Sequence, residues 1–489
     1  MNKRVNAFFS MGLVSIFQIL SNIIRSKLTA VILGTYGIGV LSVINNILGI
    51  GQIAGNLGIN NGIVKKISDD VDDKEEIQNV ISTSYITSLI SSIIILIAMI
   101  LFSKQISVQN FNNEKYYIII IIVAFSVPIT TFNSIDGAII NGFKEIKVIS
   151  RVAILTSIIN VIASVFFIYS FKLNGAIYSI VAMSVVGYII NFVALKYILC
   201  KKQIKFKISL HRYKINIFKT LIAFGSTSIF AALFTNVSML VIKTAITKKL
   251  GMDYNGIFQA DWSIMNQYIG IIFTSCGVYY FPTLCSLKTN EERVEEMNKT
   301  LEMLLLVIVP VFIAILLFKN IIIGLLYSSK FALSAELLSV FIIGDYFKVI
   351  AWTIGYVFAP IYKLREFIII DFIANVFFTV SSILLLNKFG SLYGIAYAYV
   401  ALNILLCIIY YIYLKKNINF EFKSYTRKNM LLSFAILTCS YVVIEILNIK
   451  FLYKAIILFV ILGVWAKLVI DEKKLIKIKK YINKKVHKN

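Results

Sequence analysis

The sequence predicts an all-α polytopic membrane protein of about 14 transmembrane helices: two parallel six-helix repeats followed by two C-terminal helices. Three observations support this fold class. The 489 residues are 59% hydrophobic and 15% charged, a balance that would expose large apolar patches if the chain folded in water. Apolar runs long enough to cross about 30 Å of hydrocarbon recur from end to end. Short motifs of the first half also recur in the second half at a nearly constant offset.

Each predicted span is an apolar run of about 20 residues or more. The first run follows Lys3 and Arg4 and has no small-residue cleavage site, so we interpret it as a retained helix. The five cysteines lie in or beside apolar runs without metal-ligand spacing, and we expect neither a metal nor a cofactor. The spans are predicted at 8–33, 38–64, 79–103, 116–141, 149–171, 173–199, 217–247, 255–285, 300–318, 336–361, 367–387, 392–414, 430–448 and 452–470.

The basic residues indicate how the chain is oriented. A net charge of +25 would suggest nucleic acid in a soluble protein, but here Lys and Arg concentrate in alternate connections between apolar runs. The connection at 200–216 and the segment 471–489 are strongly basic and fall on the same side. Because basic connections stay in the cytoplasm, both termini are predicted to be cytoplasmic, with no nucleic-acid partner.

The internal repeat defines the predicted domains. Six spans per repeat is an even number, so both copies share one orientation and the substrate path lies between them. We therefore predict a first six-helix bundle at 1–215, a second at 216–416, and two extra helices with a basic cytoplasmic tail at 417–489. The matching segments are Leu33–Val40 with Leu250–Ile257 (offset 217), and Phe143-Lys144 with Tyr362-Lys363 and Leu173–Ile177 with Leu392–Ala396 (both offset 219).

Arg25 is the most informative polar residue within a predicted span. A charge deep in the bilayer is costly, so it needs a polar environment. It continues a stripe on one helix face, which we expect to face a water-filled cavity; a structural tie to a neighbouring carbonyl or carboxylate is the alternative. Lys27 lies on another face and is expected to reach the membrane surface. The stripe comprises Ser15, Gln18, Asn22, Arg25 and Thr29.

Lys243 occupies nearly the equivalent position in the second repeat, eight residues before Gly251. Two cations on matched helices are predicted to converge across the central axis. Polar side chains also line one face of the second and eighth spans, where amides suit sugar hydroxyls. Helix–helix hydrogen bonding is the alternative for these residues. They are Asn45, Gln52, Asn56 and Asn60 in the second span, and Gln259, Ser263, Asn266 and Gly270 in the eighth.

Three acidic residues, Asp136, Asp261 and Asp345, lie well inside predicted spans, whereas Glu336 and Asp371 lie near span ends. Asp345 is three residues from Lys348, which favours an ion pair on one helix. Asp261 is expected either to pair with a cavity cation or to carry a coupling proton or sodium ion. Asp136 is a further candidate for ion coupling. The residues alone do not decide among these roles.

Three segments together resemble the O-antigen and polysaccharide flippases (Wzx type) of the multidrug/oligosaccharidyl-lipid/polysaccharide exporter superfamily. They are Arg25–Gly34 at the end of the first span, Tyr36–Gly39 after it, and Asn56–Asn60 before a basic loop. The resemblance implies a multi-pass protein of the bacterial inner membrane that is not an enzyme. It works by alternating access on an undecaprenyl-diphosphate-linked glycan, with membrane lipids and the polysaccharide polymerase machinery as further partners.

For such a cargo, Arg25 and Lys243 would bind the diphosphate, because cations attract phosphate and the Arg fork binds its oxygens in pairs. Gln18, Asn22 and the amides of the second and eighth spans would contact sugars. Fourteen spans also resemble the lipid II flippases, which makes a peptidoglycan precursor the main alternative cargo. A multidrug exporter of the same superfamily is less favoured, because organic cations call for an acidic cavity. A glycan polymerase or ligase would need a large external loop, and none is predicted.

Overall fold

The computed structural model describes residues 3–69, 73–445 and 451–469; the basic tail predicted at 471–489 lies outside these ranges. Within them the chain is helical and contains no β-strand. Short 3₁₀ turns occur at Glu114–Tyr116, Leu210–Arg212, Ser329–Phe331 and Tyr356–Phe358. The α-helices are α1 (Lys3–Asn56), α2 (Asn60–Asp69), α3 (Lys74–Leu101), α4 (Ser103–Phe111), α5 (Tyr117–Ala124), α6 (Ser126–Gly142), α7 (Ile146–Lys201), α8 (Ile215–Lys249), α9 (Met252–Ser286), α10 (Asn290–Leu326), α11 (Ala332–Gly355), α12 (Leu364–Phe389), α13 (Tyr393–Ile418), α14 (Ser424–Glu445) and α15 (Phe451–Val469).

The helices account for the predicted spans. Eleven helical segments among the described residues are long and apolar enough to cross a membrane. Two of these, in α1 and α7, are interrupted by non-helical backbone at Gly34 and Lys172, and each holds two predicted spans. The shorter apolar segment Leu452–Trp465 corresponds to the last predicted span. The prediction of a polytopic helical protein with about 14 spans is confirmed.

Backbone conformation repeats along the chain with the period found in the sequence. Left-handed φ angles are rare because a Cβ clashes with the backbone there, so their positions mark special turns. Four such positions in the first half have a counterpart 216–218 residues later, although Leu57, Gly58 and Asn112 have none. The matched pairs are Gly34 (φ 68°) with Gly251 (φ 104°), Lys144 (57°) with Tyr362 (59°), Lys172 (50°) with Gly390 (60°), and Gln203 (55°) with Asn419 (52°).

A close contact joins repeat-equivalent residues of α1 and α9. A methyl group on Gly39 would lie 2.2 Å from the carbonyl oxygen of Met252, and one on Gly256 would lie 1.9 Å from that of Thr35. Gly39 corresponds to Gly256, and Thr35 to Met252, at the offset of 217. The two halves of the contact are therefore formed by equivalent residues of the two repeats. Only glycine permits backbones to approach this closely.

The described chain divides into two compact units. Unit 1 comprises Met1–Ala260, Gly324–Phe331 and Asp371–Leu392. Its interior holds two clusters of buried aliphatic side chains: one joins α2, α3, α6 and the end of α7, and the other joins the second half of α1 with α5. The repeat boundary predicted at residue 216 stays a prediction.

Unit 2 comprises Asp261–Ile323, Ala332–Ile370 and Tyr393–Asn489. Its interior is rich in aromatic rings; for example, Phe273 stacks on Trp352 with centroids 4.3 Å apart. The helix α14 is tied into this unit by polar contacts. Lys319 of α10 forms an ion pair with Glu445, and Tyr346 donates a hydrogen bond of 2.7 Å to the carbonyl of Met430.

Candidate functional site: a polar cavity in unit 1

A polar cavity of about 250 Å³ lies between the first halves of α1 and α7. The residues of α1 that line it are three or four positions apart and therefore share one helix face. From α7 come two hydroxyls, an amide and one apolar side chain. The lining residues are Gln18, Ser21, Asn22 and Arg25 on α1, and Thr156, Ser157, Asn160 and Val161 on α7.

The structure thus places three of the predicted residues, Gln18, Asn22 and Arg25, in one cavity. The Arg25 side chain is exposed, and within the described ranges it forms no ion pair with a carboxylate. Thr29 lies one turn further and donates its hydroxyl to the carbonyl of Arg25 at 2.7 Å. The side chain of Ser15, the first residue of the predicted stripe, lies outside the described part. The charge of Arg25 is therefore available to a ligand.

The α7 side of this cavity was missed by sequence reasoning. Thr156 and Ser157 donate their hydroxyls to carbonyls of their own helix, to Val152 at 2.8 Å and Ala153 at 2.7 Å. Their oxygens retain lone pairs that accept hydrogen bonds. The only available signal was the spacing of Thr156 and Asn160 four residues apart within an apolar run. The cavity therefore combines a guanidinium, amides and hydroxyl acceptors.

Lys243 lies elsewhere in unit 1. Its side chain is 3% exposed, and its ammonium donates to the side-chain oxygen of Asn46 at 2.5 Å and to the carbonyl of Ser42 at 3.3 Å. Asn46 in turn donates to Asn236 at 3.5 Å. These bonds tie α8 to the second half of α1. Lys243 is not among the residues that line the polar cavity, and its predicted convergence with Arg25 stays a prediction.

Lys27 caps the end of α10. Its ammonium donates to the carbonyl oxygens of Gly324 and Tyr327, both at 2.6 Å. Carbonyls at a helix C-terminus lack intrahelical donors, and a lysine satisfies them. The expectation that Lys27 reaches the membrane surface stays a prediction.

The remaining predicted amides are distributed over both units. Asn56 is buried and donates to Ser134 at 3.3 Å, which matches the helix–helix alternative. Asn266 is exposed, and its amide donates to the carbonyl of Trp262 on its own helix at 2.8 Å. Asn45 is also exposed, whereas Gln52 and Gln259 are half-buried. None of these five residues lines the cavity around Arg25.

The three predicted acids are fully buried, each with hydroxyl donors. Asp136 in unit 1 accepts from Tyr85. In unit 2, Asp261 accepts from Ser334 at 2.5 Å, and Asp345 accepts from Tyr268 and, at 2.7 Å, from Tyr399. The second carboxyl oxygens of Asp136 and Asp261 have no partner among the described residues.

Lys348 does not act as the hydrogen-bond partner of Asp345 in the described structure. Its ammonium lies 5.8 Å from the centroid of the Tyr399 ring, and the Tyr399 hydroxyl is what contacts the carboxylate. The predicted pair therefore persists as an electrostatic attraction between Lys348 and Asp345, and Tyr399 contacts both residues.

Comparison with known proteins identifies similar sequences. Residues 28–336 match the family model described as polysaccharide biosynthesis protein. A lipid III flippase of Escherichia coli strain K12 is 24% identical over 391 residues, which cover 79% of this chain and 92% of the relative. A putative O-antigen transporter of Shigella flexneri is 22% identical over 325 residues, covering 65% and 76%.

Comparison with solved structures identifies the same fold. An inward-facing multidrug-resistance MATE transporter of the MOP superfamily superposes with a TM-score of 0.73 at 18% identity, covering 82% of this chain and 94% of that one. The lipid II flippase MurJ in its inward closed conformation gives a TM-score of 0.68 at 14% identity, covering 94% and 98%. The arrangement of helices is therefore one that known membrane transporters share.

Proposed function

This chain belongs to the family of polysaccharide biosynthesis proteins, and from that premise we propose that it is a flippase for lipid-linked saccharide precursors. The cargo we propose is an undecaprenyl-diphosphate-linked oligosaccharide repeat unit of O-antigen, capsule or exopolysaccharide. The protein would move it by alternating access from the cytoplasmic to the outer leaflet of a bacterial inner membrane. Both termini would be cytoplasmic, and the polymerase machinery would receive the product.

The composition of the polar cavity is the observation that carries this proposal. A diphosphate and a hydrated glycan cannot enter hydrocarbon unless the protein replaces their water. Arg25 offers a bidentate cation for phosphate oxygens, while Gln18, Asn22 and Asn160 offer amides for sugar hydroxyls. None of the described residues that line the cavity is acidic. This electrostatic character favours an anionic cargo over an organic cation, and so a flippase over a drug exporter.

A lipid II-type precursor is the second candidate cargo, because the likeness to MurJ extends over 94% of this chain. Both cargoes carry a polyprenyl diphosphate, and they differ in the attached sugars. Asp136, Asp261 and Asp345 are proposed to carry a coupling proton or sodium ion. Lys243 is proposed to contribute to the diphosphate site in another state of the transport cycle.

Reconstitution into vesicles tests the proposal. Fluorescent undecaprenyl-diphosphate oligosaccharide would be placed in both leaflets, and an impermeant reductant would bleach only the outer one. With the protein present, the protected fraction is expected to disappear; with empty vesicles it should persist. Lipid II and a cationic dye would be tested in parallel. Transport of the dye alone would refute the flippase, and transport of lipid II alone would select the second cargo.

A further inference from the structure

Residues 324–331, which connect α10 to α11, form a small docked segment of unit 1. The chain enters this segment from α10 and leaves it into α11, and the rest of these two helices belongs to unit 2. Its aromatic side chains Tyr327 and Phe331 are 4% and 0% exposed, with ring centroids 5.0 Å apart. The Tyr327 hydroxyl donates to the carbonyl of Ala260 at 3.4 Å. The segment is therefore seated in unit 1, although the helices on both sides of it are part of unit 2.

Two lysines connect this segment, called the latch below, to α1. Lys27 of α1 donates its ammonium to the carbonyls of Gly324 and Tyr327 in the latch, both at 2.6 Å. Lys330 of the latch lies against Gly34, the position at which α1 departs from helical geometry. Its Cδ and Nζ atoms are each 3.8 Å from where a methyl group on Gly34 would lie. The latch therefore lies along the two turns of α1 that precede its break.

The bonds that hold the latch differ from those that hold the preceding part of α10. In the part of the chain that the structure describes, neither Lys27 nor Lys330 forms an ion pair with a carboxylate. Lys319 of α10, by contrast, is buried and binds Glu445 and Ser339 within unit 2. A neutral carbonyl lacks the attraction of opposite charges, so water replaces it at an ammonium more readily than it replaces a carboxylate. α10 is thus anchored firmly at Lys319 and reversibly at the latch.

We propose that the latch is a conformational lock, which holds one state of the transporter and releases from Lys27 in every transport cycle. Alternating access moves one helical bundle against the other. Because the latch is docked in one unit while its flanking helices belong to the other, this movement breaks the bonds to Lys27 before it affects the anchor at Lys319. In the proposed orientation Gly34 lies at the outer end of α1, so the latch closes the outer side. This inference rests on the proposed function and adds the step that controls it.

A reversible crosslink tests whether the latch has to open. Lys27→Cys and Gly324→Cys would be introduced into the full-length protein after replacement of its native cysteines, and joined by a short bifunctional methanethiosulfonate. Vesicle transport of the fluorescent glycan is expected to fall to background when the crosslink forms and to return to its previous level on reduction. The control crosslink joins Lys65→Cys to Asp69→Cys, two exposed positions one turn apart on α2, and should not affect transport. Full transport by the protein with the crosslinked latch would overturn the proposal.

Spin labels on the latch and on α1 test the release without any transport assay. Leu325 and Val31 are 67% and 60% exposed, so labels at these positions leave the packing intact, and electron paramagnetic resonance measures the distances between them. Lys27→Gln is expected to raise the ratio of a longer distance to the original one about 10- to 100-fold, the effect of losing a charged hydrogen bond. Lys27→Arg should keep the original distribution, because a guanidinium also donates to carbonyls. The control is Lys248→Gln, at an exposed lysine of α8.

The two experiments separate the latch from the proposed cargo. A distance distribution that Lys27→Gln leaves unchanged would contradict the latch, even if the unmodified protein transports the glycan. A distribution that shifts in Lys27→Gln but not in the control would support the latch, even if the protein transports no glycan and the proposed function is wrong.

Discussion

At the scale of single residues, side chains of one type have different roles according to what surrounds them. Arg25 is exposed to a polar cavity without an acidic partner, whereas Lys27 caps α10 and Lys243 ties two helices together. All three are cations within predicted spans, and composition alone does not distinguish them. In the described structure the two lysines form structural hydrogen bonds, whereas Arg25 lines a polar cavity, and its binding of a ligand is the role proposed above.

Replacing Arg25 is expected to impair transport without unfolding the protein. Arg25→Ala removes a charged donor whose hydrogen bonds are worth about 1.5–3 kcal/mol, so transport should fall about 10- to 100-fold. Arg25→Lys should retain part of the activity, since it keeps the charge but loses the bidentate fork. Vesicle transport of the fluorescent glycan measures this. Lys219→Ala, which removes an exposed cation of α8, is the control; an equal loss in both variants would contradict the role of Arg25.

Sequence reasoning identified three of the eight residues that line the polar cavity. The stripe of Gln18, Asn22 and Arg25 was visible because polar residues at helical spacing stand out within an apolar run. Thr156 and Ser157 were not recognised, because small hydroxyls inside a span usually bond their own helix, as these also do. The partner of Lys243 could not be predicted either, since Asn46 is about 200 residues away and the contact depends on packing.

At the scale of elements, most of the fold could be predicted from hydrophobic runs and the internal repeat. The apolar runs predicted the spans, and the internal repeat is accompanied by left-handed residues paired at offsets of 216–218. The non-helical residues Gly34 and Lys172 fall between the predicted spans 8–33 and 38–64 and between 149–171 and 173–199, as the sequence predicts.

The glycine contact between α1 and α9 is expected to tolerate no side chain. Gly39→Ala or Gly256→Ala places a methyl group within about 2 Å of a backbone oxygen. Because the clash is with the backbone, it cannot be relieved by changing a side-chain rotamer. Overpacking of this kind costs about 1–3 kcal/mol or more. A lower thermal unfolding midpoint in detergent would be measured by tryptophan fluorescence. Gly324→Ala is the control, because a methyl group there meets open space; similar midpoints for all variants would refute the packing argument.

At the scale of the whole molecule, the proposed orientation makes a direct prediction. A single cysteine at position 36, where Tyr36 is exposed, should react with an impermeant thiol reagent added outside intact cells, whereas cysteines at 205–214 should react only after permeabilisation. The physical reason is that basic connections such as 200–216 remain in the cytoplasm. The native cysteines would first be replaced by serine or alanine. The reverse labelling pattern would contradict both the orientation and the direction of export.

The second prediction at this scale concerns the energy source of transport. The cell interior is negative, so outward movement of a diphosphate with about two charges would gain roughly 4.6 kcal/mol at 100 mV. Export in energised vesicles should therefore decline when an ionophore collapses the potential but spares the pH gradient. Unchanged export would instead favour coupling through the buried acids. In that case Asp345→Asn and Asp261→Asn would be expected to abolish export. The potential-driven mechanism instead predicts that both variants retain export.

The contact between Gly39 and Gly256 also has an evolutionary consequence. Gly39 contacts the carbonyl of Met252, and Gly256 contacts the carbonyl of Thr35. Because these residues are equivalent in the two repeats, exchanging the repeats leaves the contact unchanged. An interface of this kind is isologous, the type formed by two identical subunits around a two-fold axis. We infer that the ancestor before gene duplication was a six-helix protein that dimerised through this glycine. Separate synthesis of the two halves should accordingly yield chains that reassemble, and alanine at both glycines should cost less than the sum of the single changes.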